Sequence, residues 1–169
     1  RTEREKENEQ RYATVLSLPT ETADGRGLLL CANISTPDGL EEALAVNADG
    51  IGLFRSEFLF MGKDRQPTED EQFEAYRSVL AGMHGRPVII RTLDVGGDKE
   101  IPYLHLVKEE NPFMGFRAVR YCLANPDQYK VKLRALLRAS AFGDVKIMIP
   151  LVTCVEEVLA VKELVEQCK

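Results

Sequence analysis

The sequence predicts an α/β fold in which a parallel sheet carries its helices on the outside. Three observations point to it. Short apolar runs rich in β-branched residues recur at Leu28–Ile34, Ile51–Phe54, Val88–Leu93 and Val145–Pro150. Each run is followed by a segment with helical periodicity, so strand and helix alternate about four times, the pattern of a parallel sheet. The polar residues that break this pattern gather at the far ends of the runs. Arg55 follows the second run, and Arg91 and Asp94 lead into Gly96-Gly-Asp-Lys99 at the end of the third.

Taken in order, residues Arg1 to Arg11 are almost entirely charged or amide and form either a solvated helix or a frayed tail. The apolar stretches Ala13–Leu18 and Leu28–Ile34 flank Asp24-Gly25, which predicts two strands joined by a turn, the second opening the sheet. Thr36 is placed to cap a helix with Pro37 at its first position, running to about Val46 and stopped by Asn47-Ala-Asp-Gly50. Thr68 and Glu71 have capping-box spacing and open a helix to about Ala81 that buries Phe73, Tyr76 and Leu80. Phe116 to Leu123 is expected to be helical. Asn125-Pro126 then opens a helix with Leu133, Leu136 and Leu137 on one face and Lys130, Lys132, Arg134 and Arg138 on a solvated one. Thr153 and Glu156 give a second capping box, with Val155, Val158, Leu159 and Val165 as the apolar stripe.

With 169 residues the chain is long enough for one domain with its own core, and 44% hydrophobic with 29% charged residues is ordinary for a globular protein. A net charge of -5 without a basic face argues against nucleic acid. No apolar run approaches the ~20 residues that cross a bilayer. Cys31, Cys122, Cys154 and Cys168 are scattered without metal-site spacing, which favours buried thiols in a reducing cytosol over disulfides.

A rigid strand end is a good mount for an arginine, whose planar fork matches a phosphate or carboxylate. Paired glycines let backbone approach an anion and Lys99 adds a point charge; the plain alternative is a β-turn with a solvated charge cluster. Three blocks follow this logic in order. They are Gly50-Ile-Gly-Leu-Phe-Arg-Ser-Glu-Phe-Leu-Phe-Met61, Val88-Ile-Ile-Arg-Thr-Leu-Asp-Val-Gly-Gly-Asp-Lys99 and Glu110-Asn-Pro-Phe-Met-Gly-Phe-Arg117. Together they resemble the phosphoenolpyruvate-binding domain of Enzyme I of the bacterial phosphotransferase system, the phosphoenolpyruvate–protein phosphotransferases. The resemblance runs from about residue 18 to the end of the chain.

The resemblance implies the first half of a TIM (β/α)8 barrel, since a complete barrel needs ~250 residues. Residues 1–17 would be a linker or helical extension and residues 18–169 the half-barrel of a longer protein. Its open edges would be covered by the other half, by a dimer or by rearrangement. Arg55 and Arg91 match the arginines that hold phosphoenolpyruvate. Arg117 matches a third motif arginine, and Lys99 is a further candidate cation. Glu57 is expected to orient an arginine rather than act as a base, and Asp94 and Asp98 to hold the cations in place.

The implied reaction moves the phosphoryl group of phosphoenolpyruvate to a histidine of the enzyme and on to the phosphocarrier protein HPr for sugar uptake. A cytoplasmic homodimer that needs Mg²⁺ is expected. The family's metal-binding Val-Glu-Thr-Pro-like and Asn-Asp-Leu-like motifs, its cysteine motif and its phosphocarrier-histidine motif are all absent before Lys169. His84 and His105 are accordingly expected to be structural or solvent-facing. Pyruvate, phosphate dikinase and phosphoenolpyruvate synthase share similar blocks, but Leu-Asp-Val-Gly-Gly-Asp-Lys after Arg91 looks like Enzyme I. A non-catalytic folding or oligomerisation module is the competing class.

Overall fold

The computed structural model describes residues 8, 11–12, 14–16, 18–95, 101–104, 106 and 109–169. Four strands form one sheet in the order β1 (Cys31–Ile34), β2 (Gly50–Arg55), β3 (Val88–Arg91) and β4 (Val145–Met148), each parallel to the next. Helix α1 (Gly39–Ala45) joins β1 to β2, and α2 (Glu69–Gly82) joins β2 to β3. Helices α3 (Ala118–Ala124) and α4 (Pro126–Ala139) lie between β3 and β4, and α5 (Val155–Gln167) follows β4. The predicted α/β alternation is present, with four parallel strands in sequential order and helices between them.

One face of the sheet is sealed. Ile51, Phe54, Val88 and Ile90 alternate onto it and pack against Tyr76, Val79 and Leu80 of α2 and Ala135, Leu136 and Ala139 of α4. A second cluster, built from Phe60, Leu93, Val119, Tyr121, Cys122, Tyr129, Leu133 and Val161, continues this core towards the strand ends. Gly50 lets β2 start close to its neighbour. The Ile51 amide donates to the Pro87 carbonyl at 2.8 Å, and a Cβ on Gly50 would stand 2.6 Å from that oxygen.

Several local expectations are corrected. Thr14–Leu16 form a turn, not a strand, and the hairpin at Asp24-Gly25 is reduced to one antiparallel bridge, Glu21 with Gly27. Its tightness comes from Gly25 at φ 81° and the Thr22 amide donating to the Arg26 carbonyl at 2.9 Å. The first strand begins at Cys31; ahead of it the Leu28 amide donates to the Thr20 carbonyl, while Leu30 and Asp49 bond each other, the Leu30 amide to the Asp49 carboxylate and the Asp49 amide to the Leu30 carbonyl. Thr36 does not cap α1. The chain enters through backbone turns, Gly39 amide to Thr36 carbonyl and Leu40 amide to Pro37 carbonyl, with Gly39 wedged against Ile34.

The Thr68–Glu71 box forms as predicted. The second box sits one residue later than expected, with Glu157 accepting the Thr153 amide at 2.6 Å and the Cys154 amide at 3.3 Å. These backbone donors hold the Glu157 carboxyl below its usual range. Helix α3 starts at Ala118 rather than Phe116, and Phe73 is half-buried, edged against Phe142. Of the predicted α5 stripe, Val155 and Leu159 are 68% and 58% exposed. Helix α5 has two apolar faces, and α3 and α4 cover the one bearing Val158, Val161 and Val165.

Among α4's basic residues, Arg134 and Arg138 do reach the surface, where they pair with Glu69 and Asp70 of α2. Lys132 does not: it is 2% exposed, inside the protein. It occupies the i+3 position from Tyr129 and i−4 from Leu136, on the helix's buried stripe. The four cysteines are free; only Cys122 is fully buried, while Cys31 and Cys154 are exposed.

Candidate functional site

Parallel pairing brings the candidate arginines together. Arg55 and Arg91 are register partners at the last positions of β2 and β3, so their side chains start from adjacent strand ends. Beyond β2 the chain turns at once into a 3₁₀ segment, Ser56–Leu59, which places Glu57 back over the strand ends. Glu57 is wholly buried and accepts a hydrogen bond from Nη2 of Arg91. The Ser56 hydroxyl donates to the Arg91 carbonyl and ties the two strand ends together.

Arg91 also donates through Nη1 to Oδ2 of Asp94 at 3.0 Å. The other oxygen of Asp94 accepts Nη2 of Arg117 at 2.9 Å. A continuous chain therefore runs Glu57–Arg91–Asp94–Arg117, and the predicted roles of Glu57 and Asp94 as orienting carboxylates are what the geometry displays. Arg117 enters from the residue preceding α3, with its guanidinium 5.5 Å from the Phe113 ring centroid. Ala118 directly after it adopts φ 51°, a conformation unusual for a residue with a Cβ, which sets the angle at which Arg117 enters.

Arg55 takes a separate set of partners. Its Nη2 donates to the Ser35 hydroxyl at 2.5 Å, and its guanidinium lies 4.7 Å from the Phe58 ring centroid. Neither residue was singled out in the sequence. Ser35 follows Ile34 at the end of β1, so the strand-end rule that selects Arg55 and Arg91 selects it as well.

The chemistry open to this cluster follows from its unpaired donors. Nε of Arg91 and both Nε and Nη1 of Arg117 are buried without a hydrogen-bond partner. Buried guanidinium N–H groups without acceptors are costly, and an anion with several oxygens would satisfy them. Among the described residues, three guanidinium groups against two carboxylates also leave an excess positive charge at the strand ends. The predicted Lys99 and Asp98 lie outside the described residues, as does His105, whereas His84 is exposed at φ 51°. Among the described residues no three histidine, cysteine, aspartate or glutamate side chains form a group that could hold a metal ion. Glu57 and Asp94 are already engaged with arginines, which disfavours them as ligands for Mg²⁺. No helix among the described residues is long and apolar enough to cross a membrane.

Comparison with known proteins agrees with this geometry. The family model described as "PEP-utilising enzyme, PEP-binding domain", PEP being phosphoenolpyruvate, matches residues 9–169. Among curated relatives, a protein of Bacillus sp. (strain S) named phosphoenolpyruvate-protein phosphotransferase is 56% identical over 146 residues, covering 86% of this chain and 25% of the relative. Proteins of the same name from Staphylococcus carnosus (54%, 86% of this chain and 26% of the relative) and Listeria monocytogenes (53%, 82% and 24%) are similar. The chain thus spans about a quarter of the length of the curated relatives it matches. On these matches, the chain belongs to the family of PEP-utilising enzymes, within their PEP-binding domain.

Proposed function

We propose that this chain supplies the arginine side of the phosphoenolpyruvate site in a phosphoenolpyruvate–protein phosphotransferase. The observation that carries this reading is the set of buried, unpaired guanidinium donors on Arg91 and Arg117 beside Arg55. Phosphoenolpyruvate presents a phosphate and a carboxylate on three carbons, and planar forks from separate elements suit two such groups at once. Arg55, Arg91 and Arg117 would hold the anion, and Lys99 would add a fourth cation from the segment after Asp94. Glu57 and Asp94 keep Arg91 and Arg117 in fixed orientations, so little reorganisation is needed when charge shifts during transfer.

The phosphoryl group would pass in line to a histidine carried on another domain and then to HPr, in a cytoplasmic, Mg²⁺-dependent sugar-uptake pathway. Positioning and charge neutralisation supply most of the catalysis in such transfers. Residues 1–17 would connect the phosphocarrier domain to a half-barrel of residues 18–169. The three relatives described above are named phosphoenolpyruvate-protein phosphotransferases, which favours this reaction over that of a dikinase.

The test uses the full-length protein and steady-state transfer from phosphoenolpyruvate to HPr. Arg91→Ala is expected to lower the rate by about three powers of ten or more. That substitution also removes a charge partner of buried Glu57. Arg91→Lys, which keeps the charge but lacks the fork, is therefore the cleaner variant and should rescue poorly. Near-normal turnover in either variant would remove Arg91 from the site. Losses at Arg55 and Arg91 should be less than additive if both hold one ligand.

A further inference from the structure

Lys132 is a cation that the arginine site does not use. It projects from α4 into the core, and its Nζ donates to the Tyr76 hydroxyl at 2.9 Å. Its ammonium stands 4.9 Å from the Phe60 ring centroid and 5.5 Å from that of Tyr76. Both contacts lead to the turn that carries Glu57. The Phe60 amide donates to the Glu57 carbonyl at 3.0 Å, and Ser56 lies beside the Tyr76 hydroxyl while bonding the Arg91 carbonyl. Lys132 thus braces, from the helix side, the segment whose carboxylate grips Arg91.

We propose that Lys132 is a positioning residue for the arginine layer, sharing the charge of Glu57 with Arg91 and coupling proton uptake to the binding of a phosphoenolpyruvate-like anion. The proposal rests on the functional reading above. Its physics is a competition. When Lys132 is charged, part of the Glu57 charge is balanced from behind and Arg91 is the better anion binder. When Lys132 is neutral, that balance from behind is lost and Glu57 draws more strongly on Arg91. An anion bound at the arginines adds negative charge to the same region and favours protonated Lys132, so ligand and proton bind with positive coupling.

The surroundings make Lys132 able to change charge near neutral pH. Burial pushes its ammonium down to about 7, opposed by the negative charge of Glu57. From α3, Cys122 is itself lifted to about 12 by burial, so it is an uncharged thiol at neutral pH. Tyr76 of α2, Tyr121 of α3 and Tyr129 of α4 are all raised by burial and stay neutral as well. Among the described residues, Glu57 from the turn after β2 and, farther off, Asp94 are left as the anions of this region. A cavity of ≈ 10 Å³ bordered by Lys132, Tyr129 and Cys122 has room for no more than a single water to hydrate the charge.

The experiment is calorimetry of phosphoenolpyruvate binding to the full-length protein, with Mg²⁺ present, at pH values from about 6.5 to 9. Each pH is run in two buffers of different ionisation enthalpy. Lys132→Met, similar in volume and uncharged, and Lys132→Gln are compared with the wild type, so the ligand's own titration cancels. The wild type should take up protons on binding and lose affinity with rising pH by several-fold, up to about tenfold, more than either variant. Both variants should bind with a flatter profile and without that uptake. Equal profiles and equal proton uptake in wild type and in a folded variant overturn the coupling. Absence of phosphoenolpyruvate binding by the wild type at every pH instead overturns the functional reading on which it rests. Should neither variant fold, lysine ¹³Cε resonances of the wild type decide. One should titrate far below the others and move to higher pH with ligand, and no such resonance ends the proposal.

Discussion

Asp94 is the joint of the site, because one carboxylate holds Arg91 and Arg117 with separate oxygens. Removing its charge leaves Arg117, almost fully buried, with no carboxylate partner among the described residues. Uncompensated buried charge costs far more than a surface pair returns. Asp94→Asn should therefore lose about 3 kcal/mol of stability and weaken phosphoenolpyruvate binding together, measured by urea denaturation and by titration with ligand. Unchanged stability would mean that Arg117 gains nothing from Asp94. Lys132 works in the opposite sense. Folding lowers its pKa from the ordinary value of 10.5 to about 7, so the unfolded chain binds more protons between those limits. Stability from this group accordingly rises with pH across that window and is lowest below about 7. Relative to wild type, Lys132→Met should be the more stable protein at pH 6.5, by on the order of 1 kcal/mol or more, and the difference should shrink towards pH 10. A pH-independent difference in urea midpoints would show that Lys132 does not titrate in this range.

At the scale of elements, α2 and α4 form the layer that seals the sheet and so hold the strand ends in register. Two kinds of interaction fasten α2. Its N-terminus is closed by the Thr68–Glu71 box, and Arg65 with the Thr68 amide keeps Glu71 ionised down to about 2. Along its exposed side, Glu69 pairs with Arg134 and Arg138 of α4, and hydrogen bonding to Arg134 lowers the Glu69 carboxyl. The cap satisfies backbone donors that nothing else in the helix can reach, whereas the ion pairs compete with water. Thr68→Ala is therefore expected to cost about 1 kcal/mol, and Glu69→Gln about half as much with a dependence on salt. Thermal unfolding of the two variants at low and high salt ranks them, and a larger, salt-sensitive loss at Thr68 would reverse this ordering.

At the scale of the whole molecule, the buried face of the sheet among the described residues is the one that α2 and α4 cover. The helix-facing side of β2 and β3 is buried, while Leu28, Leu29 and Leu30 before β1 are largely exposed. So are Met148, Leu151, Val152, Val155 and Leu159 at the other end of the sheet. An apolar border beside two strand edges invites association, as expected of half a barrel. The 169-residue chain by itself should self-associate at micromolar concentration and bind phosphoenolpyruvate weakly, without Mg²⁺ dependence. Light scattering and calorimetry test this. Val155→Lys with Leu159→Lys should lower the apparent mass, and a monodisperse monomer with tight, Mg²⁺-dependent binding would contradict the half-barrel account.

The parallel strand–helix alternation, the Thr68 box and the placement of Arg55 and Arg91 at successive strand ends are legible in the order of residues. These depend on period, propensity and chain order, which are local properties. The sequence also contained the pairing of Asp94 with Arg91, three residues apart, whereas Glu57 lies beside Arg55 in the chain but serves Arg91, 34 residues away. Which carboxylate meets which arginine was decided by tertiary structure, because register sets Arg55 beside Arg91 while the loop before α3 delivers Arg117 from 23 residues beyond Asp94. The same is true of the apolar faces of α5, where two stripes are present and packing chooses one. Lys132 shows the limit most directly. Its spacing from Tyr129 and Leu136 marks a buried position while its charge marks a solvated one. Only the closure of Phe60 and Tyr76 over α4, brought together by chain segments far apart in sequence, decides that the spacing prevails.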